Sequence, residues 1–377
     1  MSKTNQTGLY VHVPFCLSKC FYCDFNSVVI TPDDADKYLE ALEIEIAALP
    51  QNFSPDTIFV GGGTPTSLSI AQIERLMQAI KRIDISQTSE FSIEVNPGTI
   101  DDEKLSLLRN AGINRISIGA QSFDDFSLKT LGRTHSSADV YLAVESARKH
   151  GFDNISLDLI FAIPEQTVDL WLEDMHKCVQ LAPEHISVYC LTYEENTPLV
   201  RMAEAGDIAK LSIDIEAEMY AAALRFLPEH GYEHYEISNF AKPGRQCRHN
   251  LLYWHNNVTL AVGPGAVAFT GGVRKTNARP VEEYVKLMHE RGHAAVIDEK
   301  LEPEDSAREA AFLRLRTRAG IDKAEFRQQT GFDFDALIND DLRKMIDEGF
   351  LADSAEDIRL TDKGFPVADS VFVHLMR

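Results

Sequence analysis

Cys16, Cys20 and Cys23, in the stretch Cys-Leu-Ser-Lys-Cys-Phe-Tyr-Cys, are the residues whose types and spacing most restrict the chemistry of this 377-residue chain. Three thiols spaced four and then three apart can wrap one small inorganic core. Cubane iron–sulfur clusters are otherwise held by four Cys, so three thiolates leave one iron without a protein ligand, and an open iron is a place for a small molecule. A zinc site is the competing reading, but zinc wants four ligands, and Asp24 or His12 would have to complete the set. Disulfides fit less well. The start Met-Ser-Lys-Thr-Asn-Gln-Thr-Gly is polar, no apolar signal segment precedes residue 10, and no run reaches the length of a membrane span. The chain therefore reads as cytoplasmic, with reduced thiols.

Residues with such a task need a scaffold, and the sequence supplies an α/β one. Apolar, β-branched runs at 9–13, 57–60, 91–95, 115–119, 155–160 and 186–190 alternate with helix-period segments, which makes six βα units. Thr31-Pro32-Asp33-Asp34 has the order of a helix start, and Gly112, Gly151, Gly231, Gly292 and Gly349 each follow a helical pattern as stops. Such alternation demands a parallel sheet. Periodicity alone does not separate an open doubly wound sheet from a barrel. At 44% hydrophobic and 25% charged, the chain can bury one large core and a smaller one. Its net charge of −21 repels phosphate backbones, so nucleic acid is not an expected partner.

Polar residues cluster where the strands end. The second run leads into Gly61-Gly62-Gly63-Thr64-Pro65-Thr66, whose backbone can approach a ligand closely. It is not a dinucleotide fingerprint, because G-x-G-x-x-G would need Gly at Thr66. Glu94, Gln121 and Asp158 stand where a buried sheet would prefer apolar side chains, and buried polar groups need partners. Each alone suits a structural network as well as a ligand; ringing one barrel mouth, they suit a ligand rich in hydroxyl and amino groups. Arg133 offers a fixed positive fork for a carboxylate.

The C-x3-C-x2-C spacing, with an aromatic before the last Cys, resembles the radical S-adenosylmethionine (SAM) superfamily. That resemblance implies a 4Fe-4S cluster on Cys16, Cys20 and Cys23, with SAM's amino and carboxylate groups on the open iron. It also implies a partial (βα)6 barrel whose ligands sit at the C-terminal strand ends. Tyr10-x-His12-x-Pro-Phe-Cys, the GGGTPT loop, Ile-Glu-Val-Asn-Pro, Gly-Ala-Gln-Ser-Phe and Leu-Asp-Leu-Ile together resemble the oxygen-independent coproporphyrinogen III oxidase group over nearly the whole chain. By that resemblance Tyr10, Gly62, Gly63, Thr64, Glu94, Gln121, Arg133 and Asp158 would contact SAM, as one or two molecules. The oxidases proper carry a fourth Cys where this chain has Phe25, and a longer extension than the fifteen residues before Cys16. Both departures point away from coproporphyrinogen decarboxylation.

A second motif, His249-Asn250-Leu-Leu-Tyr253-Trp254, resembles the HemW branch of that group, whose members are described as haem chaperones. An imidazole can ligate haem iron, Tyr and Trp rings offer flat apolar area, and Lys242, Arg245 and Arg248 could neutralise propionates. The resemblance thus makes His249 a candidate haem ligand, with Cys247 as an alternative. Cys178 and Cys190 read as core residues.

Pro264 and Gly265 mark a further Gly-rich turn whose backbone could touch SAM. The C-terminal unit reads as helices at 306–318, 322–330 and 334–348, a strand pair at 350–352 and 358–360, and a final helix. The layout is winged-helix-like and mostly α-helical, yet Asp335, Asp340, Asp341, Asp347 and Glu348 on the third helix oppose DNA binding. The expected organisation is a barrel domain over 1–240, a connecting segment with the HNxxYW motif over 241–300, and a helical domain over 301–377. The implied cofactors are the 4Fe-4S cluster, SAM and haem; the implied partners are acceptor haem proteins, with a homodimer left open. The reading is of a carrier with no catalytic residue assigned, and the alternative is a coproporphyrinogen III dehydrogenase.

Overall fold

The computed structural model describes residues 6–375; most of the polar start read above lies outside them. Strand β1 (Thr7–Val13) leads into a short parallel ribbon of β2 (Phe15–Cys16) and β3 (Val28–Val29). The barrel continues through α1 (Pro32–Ala47), β4 (Thr57–Gly62), α2 (Ile70–Ile80), β5 (Glu90–Val95), α3 (Asp102–Ala111) and β6 (Arg115–Gln121). It then runs through α4 (Asp125–Thr130), α5 (Ser137–Lys149), β7 (Ile155–Phe161), α6 (Val168–Gln180) and β8 (His185–Cys190). β1, β4, β5, β6, β7 and β8 pair in that order, all parallel. Every strand expected from the apolar runs is present, in a partial (βα)6 barrel.

Strand alternation explains why polar residues sit in these strands. Leu9, Val11, Ile58, Val60, Ile93, Ile116, Leu157 and Ile186 are buried on the helix-covered face. Their neighbours in sequence, Tyr10, Phe59, Glu94, Arg115, Ser117, Asp158, His185 and Ser187, point into the barrel and line an internal chamber. The helices follow their start signals: Thr31 caps α1 by accepting the Asp34 N–H at 3.2 Å. α1 buries Leu39, Leu42 and Ile46, each contributing roughly 1.5–3 kcal/mol.

Beyond β8 the chain keeps building the same sheet. After α7 (Pro198–Ala205) and α8 (Ile213–Glu229) come β9 (Glu233–Glu236) and β10 (Asn239–Ala241); β10 pairs antiparallel with β8, and β9 antiparallel with β10 at the sheet's edge. Helix α9 (Arg248–Trp254) follows, and β11 (Val258–Val262) returns parallel to β1. β12 (Val267–Thr270), β13 (Val273–Asn277), α10 (Val281–Arg291) and β14 (Ala295–Lys300) complete a twelve-stranded sheet. Residues 241–300, expected as a connection, thus hold four strands of the barrel's own sheet. Their strands are short or exposed, and lack the long apolar runs that announce the parallel ones.

The C-terminal unit comprises α11 (Pro303–Leu315), β15 (Ile321–Asp322), α12 (Lys323–Thr330), α13 (Phe334–Leu337), α14 (Asp340–Asp347), β16 (Leu351–Asp353), β17 (Asp357–Leu360) and α15 (Ala368–Leu375). The helix expected at 334–348 is two. Ile338 is extended and Asn339 caps a fresh start by accepting the Leu342 N–H at 2.8 Å. No helix among the described residues is long and apolar enough to cross a membrane.

Candidate functional site

The C-terminal strand ends open on a cavity of about 460 Å³ lined by Cys16, Cys20, Cys23, Gly62, Gly63, Thr64, Glu94, Gln121, Arg133 and Asp158. One cavity therefore gathers the three cysteines and seven of the eight residues expected at SAM. The cysteine loop is held from both sides. The Thr64 N–H donates to Phe15 O at 2.6 Å and the Phe21 N–H to Leu131 O at 3.0 Å. Arg133 Nη1 reaches Cys20 Sγ at 3.3 Å while its Nη2 donates to Gly119 O at 2.9 Å; Thr64 Oγ1 lies 3.6 Å from Cys16 Sγ. Burial pushes the Cys16 and Cys23 thiols up. Among the described residues no three His, Cys, Asp or Glu side chains converge on a single metal ion. A cubane asks for less convergence, since its three thiolates attach to three different irons, and three half-buried thiols on one cavity wall suit it.

The glycine loop is shaped by close approach. Gly62 has φ +109°, and a Cβ there would stand 2.5 Å from the His12 ring; a Cβ on Gly63 would stand 2.5 Å from Phe15 O. The Gly62 N–H donates to Glu94 Oε2 at 3.0 Å. Burial, and then the charge of Asp158, push Glu94 up to about 7 in spite of that bond. Asp158 accepts from the hydroxyls of Ser117, Ser156 and Ser187 at 3.0, 3.2 and 2.8 Å. Gln121 is a non-glycine residue at φ +65°, the kind of strained backbone that clusters at ligand sites. These groups fit SAM: a backbone that a side chain would block, a carboxylate able to meet an amino group, and a guanidinium beside the cysteines.

Two residues fall elsewhere. Tyr10 points into a deeper chamber of about 230 Å³, with its hydroxyl 3.1 Å from His12 Nδ1. It lies midway along β1, below the mouth. His249 lies on the wall of the same chamber and is 1% exposed. Its Nδ1 is 2.8 Å from Thr57 Oγ1 and its Nε2 is 3.1 Å from Tyr253 OH. Burial, and then the Arg115 charge, hold it down to about 3. Both ring nitrogens are engaged, so His249 does not fit as an axial haem ligand in this arrangement. Cys247 is no better placed: it is fully buried, with Sγ 3.6 Å from Glu90 Oε1. Glu90 also accepts the N–H groups of Arg248 and His249 at 2.9 and 3.0 Å, closing the start of α9. Thr57, Glu90, Arg115 and His185 all begin their strands or lie next to the beginning, so the HNxxYW segment plugs the floor of the barrel, opposite the cysteines. Trp254 carries the contact onward, with Arg316 stacked 4.6 Å over its ring.

Other cavity residues were not singled out by sequence. Asn96, Ser117, Tyr189, Cys190 and Thr192 line the mouth, and Cys190 is exposed rather than in the core. Its position at the end of β8 was the available signal. The cysteine segment also exposes apolar side chains: Phe25, at the rim of this cavity, is 64% exposed, and Leu17, Val28 and Val29 are 55%, 45% and 57% exposed.

A family model described as the radical SAM superfamily matches residues 10–178, and one described as the HemN C-terminal domain matches residues 301–367. The heme chaperone HemW of Bacillus subtilis is 40% identical, over 96% of this chain and 97% of that protein. The heme chaperone HemW of Escherichia coli is 33% identical, over 97% and 96%. Among solved structures, the coproporphyrinogen III oxidase HemN of Escherichia coli, a radical SAM enzyme, superposes with a TM-score of 0.87 at 25% identity, covering 99% of this chain and 90% of its own. The barrel and its three-cysteine mouth define a radical SAM protein. Within that class, the chain belongs to the HemW family.

Proposed function

We propose that this protein binds haem and hands it to acceptor haem proteins in the cytoplasm, and that it carries a 4Fe-4S cluster on Cys16, Cys20 and Cys23 with SAM at the open iron. The observation that carries the reading is the near end-to-end similarity to proteins named heme chaperones, joined to a cavity that gathers three thiols beside an exposed Phe25. When bound, the cluster and SAM supply one-electron chemistry. The chain's own residues hold and screen them. Gly62 and Gly63 bring backbone within reach of the ligand, Glu94 meets its amino group, and Gln121, Arg133 and Asp158 fix its polar edges. Phe25 stands, exposed, at the position where the oxidases would place a further thiol. Leu17, Phe25, Val28 and Val29 offer the flat apolar area that a macrocycle needs, and burying it there gains on the order of 25 cal/mol per Å².

Anaerobic protein with its cluster should be titrated with haem and with coproporphyrinogen in parallel. Stoichiometric haem binding, followed by loss of haem to an apo haem protein, is expected. Conversion of coproporphyrinogen to a vinyl product that depends on SAM and a reductant would overturn the proposal in favour of the dehydrogenase.

A further inference from the structure

The floor and the mouth are joined through the inside of the barrel. The His249 ring lies 5.4 Å from the Phe59 ring and 6.5 Å from that of Tyr10, and Tyr10 stacks on Phe59 at 6.3 Å. Above them, the Tyr10 hydroxyl meets His12 Nδ1 at 3.1 Å. His12 Nε2 stands 2.8 Å from the carbonyl oxygen of Asn26, in the cysteine loop. A carbonyl only accepts, so Nε2 carries the proton and Nδ1 is left to accept from Tyr10. The other face of His12 is the surface against which Gly62 packs without a Cβ. Asn26 in turn donates to Pro264 O and Arg279 O, both at 2.9 Å, tying the same loop to the segments that follow β11 and β13. A column of rings thus runs from the barrel floor to both loops of the mouth.

We propose that His249 is a positioning residue for the cluster and SAM loops, acting through Tyr10, Phe59 and His12, and that it does so as a neutral imidazole wedged between Thr57 and Tyr253 rather than as a ligand to haem. The chamber supports this division. It is too small and too polar in its lining for a macrocycle, being about 230 Å³ and walled by Glu94, Arg115, Asp158, His185 and Asn250 besides the column itself. Removing the imidazole takes the foot from the column. Tyr10 and Phe59 can then settle toward the floor, and His12 loses the contact that presses it against Gly62.

The inference rests on the cofactor reading above, and its test separates the two. The reduced cluster is followed by electron paramagnetic resonance as SAM is added, in the wild type, His249→Ala, His249→Gln and Thr57→Val; haem spectra of the same proteins are recorded alongside. His249→Ala is expected to weaken SAM roughly tenfold, the effect of losing ~1.4 kcal/mol of positioning. His249→Gln can still bond Thr57 and Tyr253 and should recover most of that loss. Thr57→Val removes the anchor but leaves the imidazole in place, so it should weaken SAM and leave the haem spectrum alone; it also serves if His249→Ala fails to fold. SAM affinity within about twofold of wild type in both His249→Ala and Thr57→Val would overturn the inference. So would loss of a histidine-ligated haem spectrum in His249→Gln. A wild-type cluster indifferent to SAM would remove the cofactor reading, and the inference with it, a result recognisable because it needs no substitution.

Discussion

The mouth and the floor of this barrel carry the chain's two motifs, and they are built in opposite ways. At the mouth, three thiols are half-buried, glycines hold a backbone open, Gln121 is strained and Phe25 is 64% exposed. At the floor, His249 is 1% exposed with both nitrogens engaged, and Glu90 closes three donors of one helix start. A region that exchanges ligands keeps its groups accessible, whereas a region that holds shape closes over them, here even with Arg115 Nε and Nη1 and Trp254 Nε1 buried without hydrogen-bond partners. By that measure the C-x3-C-x2-C segment has the openness of a site and the HNxxYW segment the closure of a clasp.

The largest test of the contrast is all-or-none. Cys20→Ala should abolish the brown absorbance of the cluster, while Cys178→Ala, in the core of α6, should retain the full iron content; equal iron in the two variants would break the assignment of the mouth. Next in size, Glu90→Ala leaves the Arg248 and His249 N–H groups without their acceptor and Arg115 with less compensation. It should cost about 2–4 kcal/mol in denaturant unfolding while iron per chain stays unchanged. Retained stability would show the floor to be less of a clasp than its bonds suggest.

The contrast was legible in the sequence only in part. The six parallel strands and the strand-end positions of Glu94, Gln121 and Asp158 followed from apolar runs and from polar residues inside them. The cysteine triplet followed from spacing. Hidden was the direction of each inward side chain: Tyr10 and Glu94 both face the barrel interior, but one sits in mid-strand and the other at its end, and only register separates the deep chamber from the mouth. His249 was hidden for a related reason. A His near Lys242, Arg245 and Arg248 reads as a candidate haem ligand beside propionate partners, and nothing local reveals that Thr57, 192 residues away, takes its Nδ1. The strands β12 to β14 are not legible because their side chains alternate little and almost none is fully buried. Cys190 ends a strand like the others, but a lone Cys more often packs in a core, the reading that its exposure corrects.

Smaller effects sharpen the mouth. Glu94 is held near 7, so below that pH it is mostly neutral and meets a cationic ligand poorly. SAM affinity should therefore rise with pH, by up to about tenfold per unit below 7, and level off above it. Glu94→Gln should flatten the profile, and a profile unchanged by that substitution would place the amino group elsewhere. Phe25→Ser should weaken haem by roughly tenfold, about what the loss of one large apolar contact costs, with cluster and SAM unaffected. Haem binding indifferent to Phe25 would move the macrocycle off the rim.

Amide hydrogen exchange on the cluster-loaded protein, with and without haem, reads both regions in one experiment. Haem is expected to protect residues 16–29 and 189–193 and to leave 247–255 as slow as before. Protection or opening concentrated at 247–255, with the mouth unchanged, would contradict the division of this barrel into a ligand-receiving mouth and a closed floor.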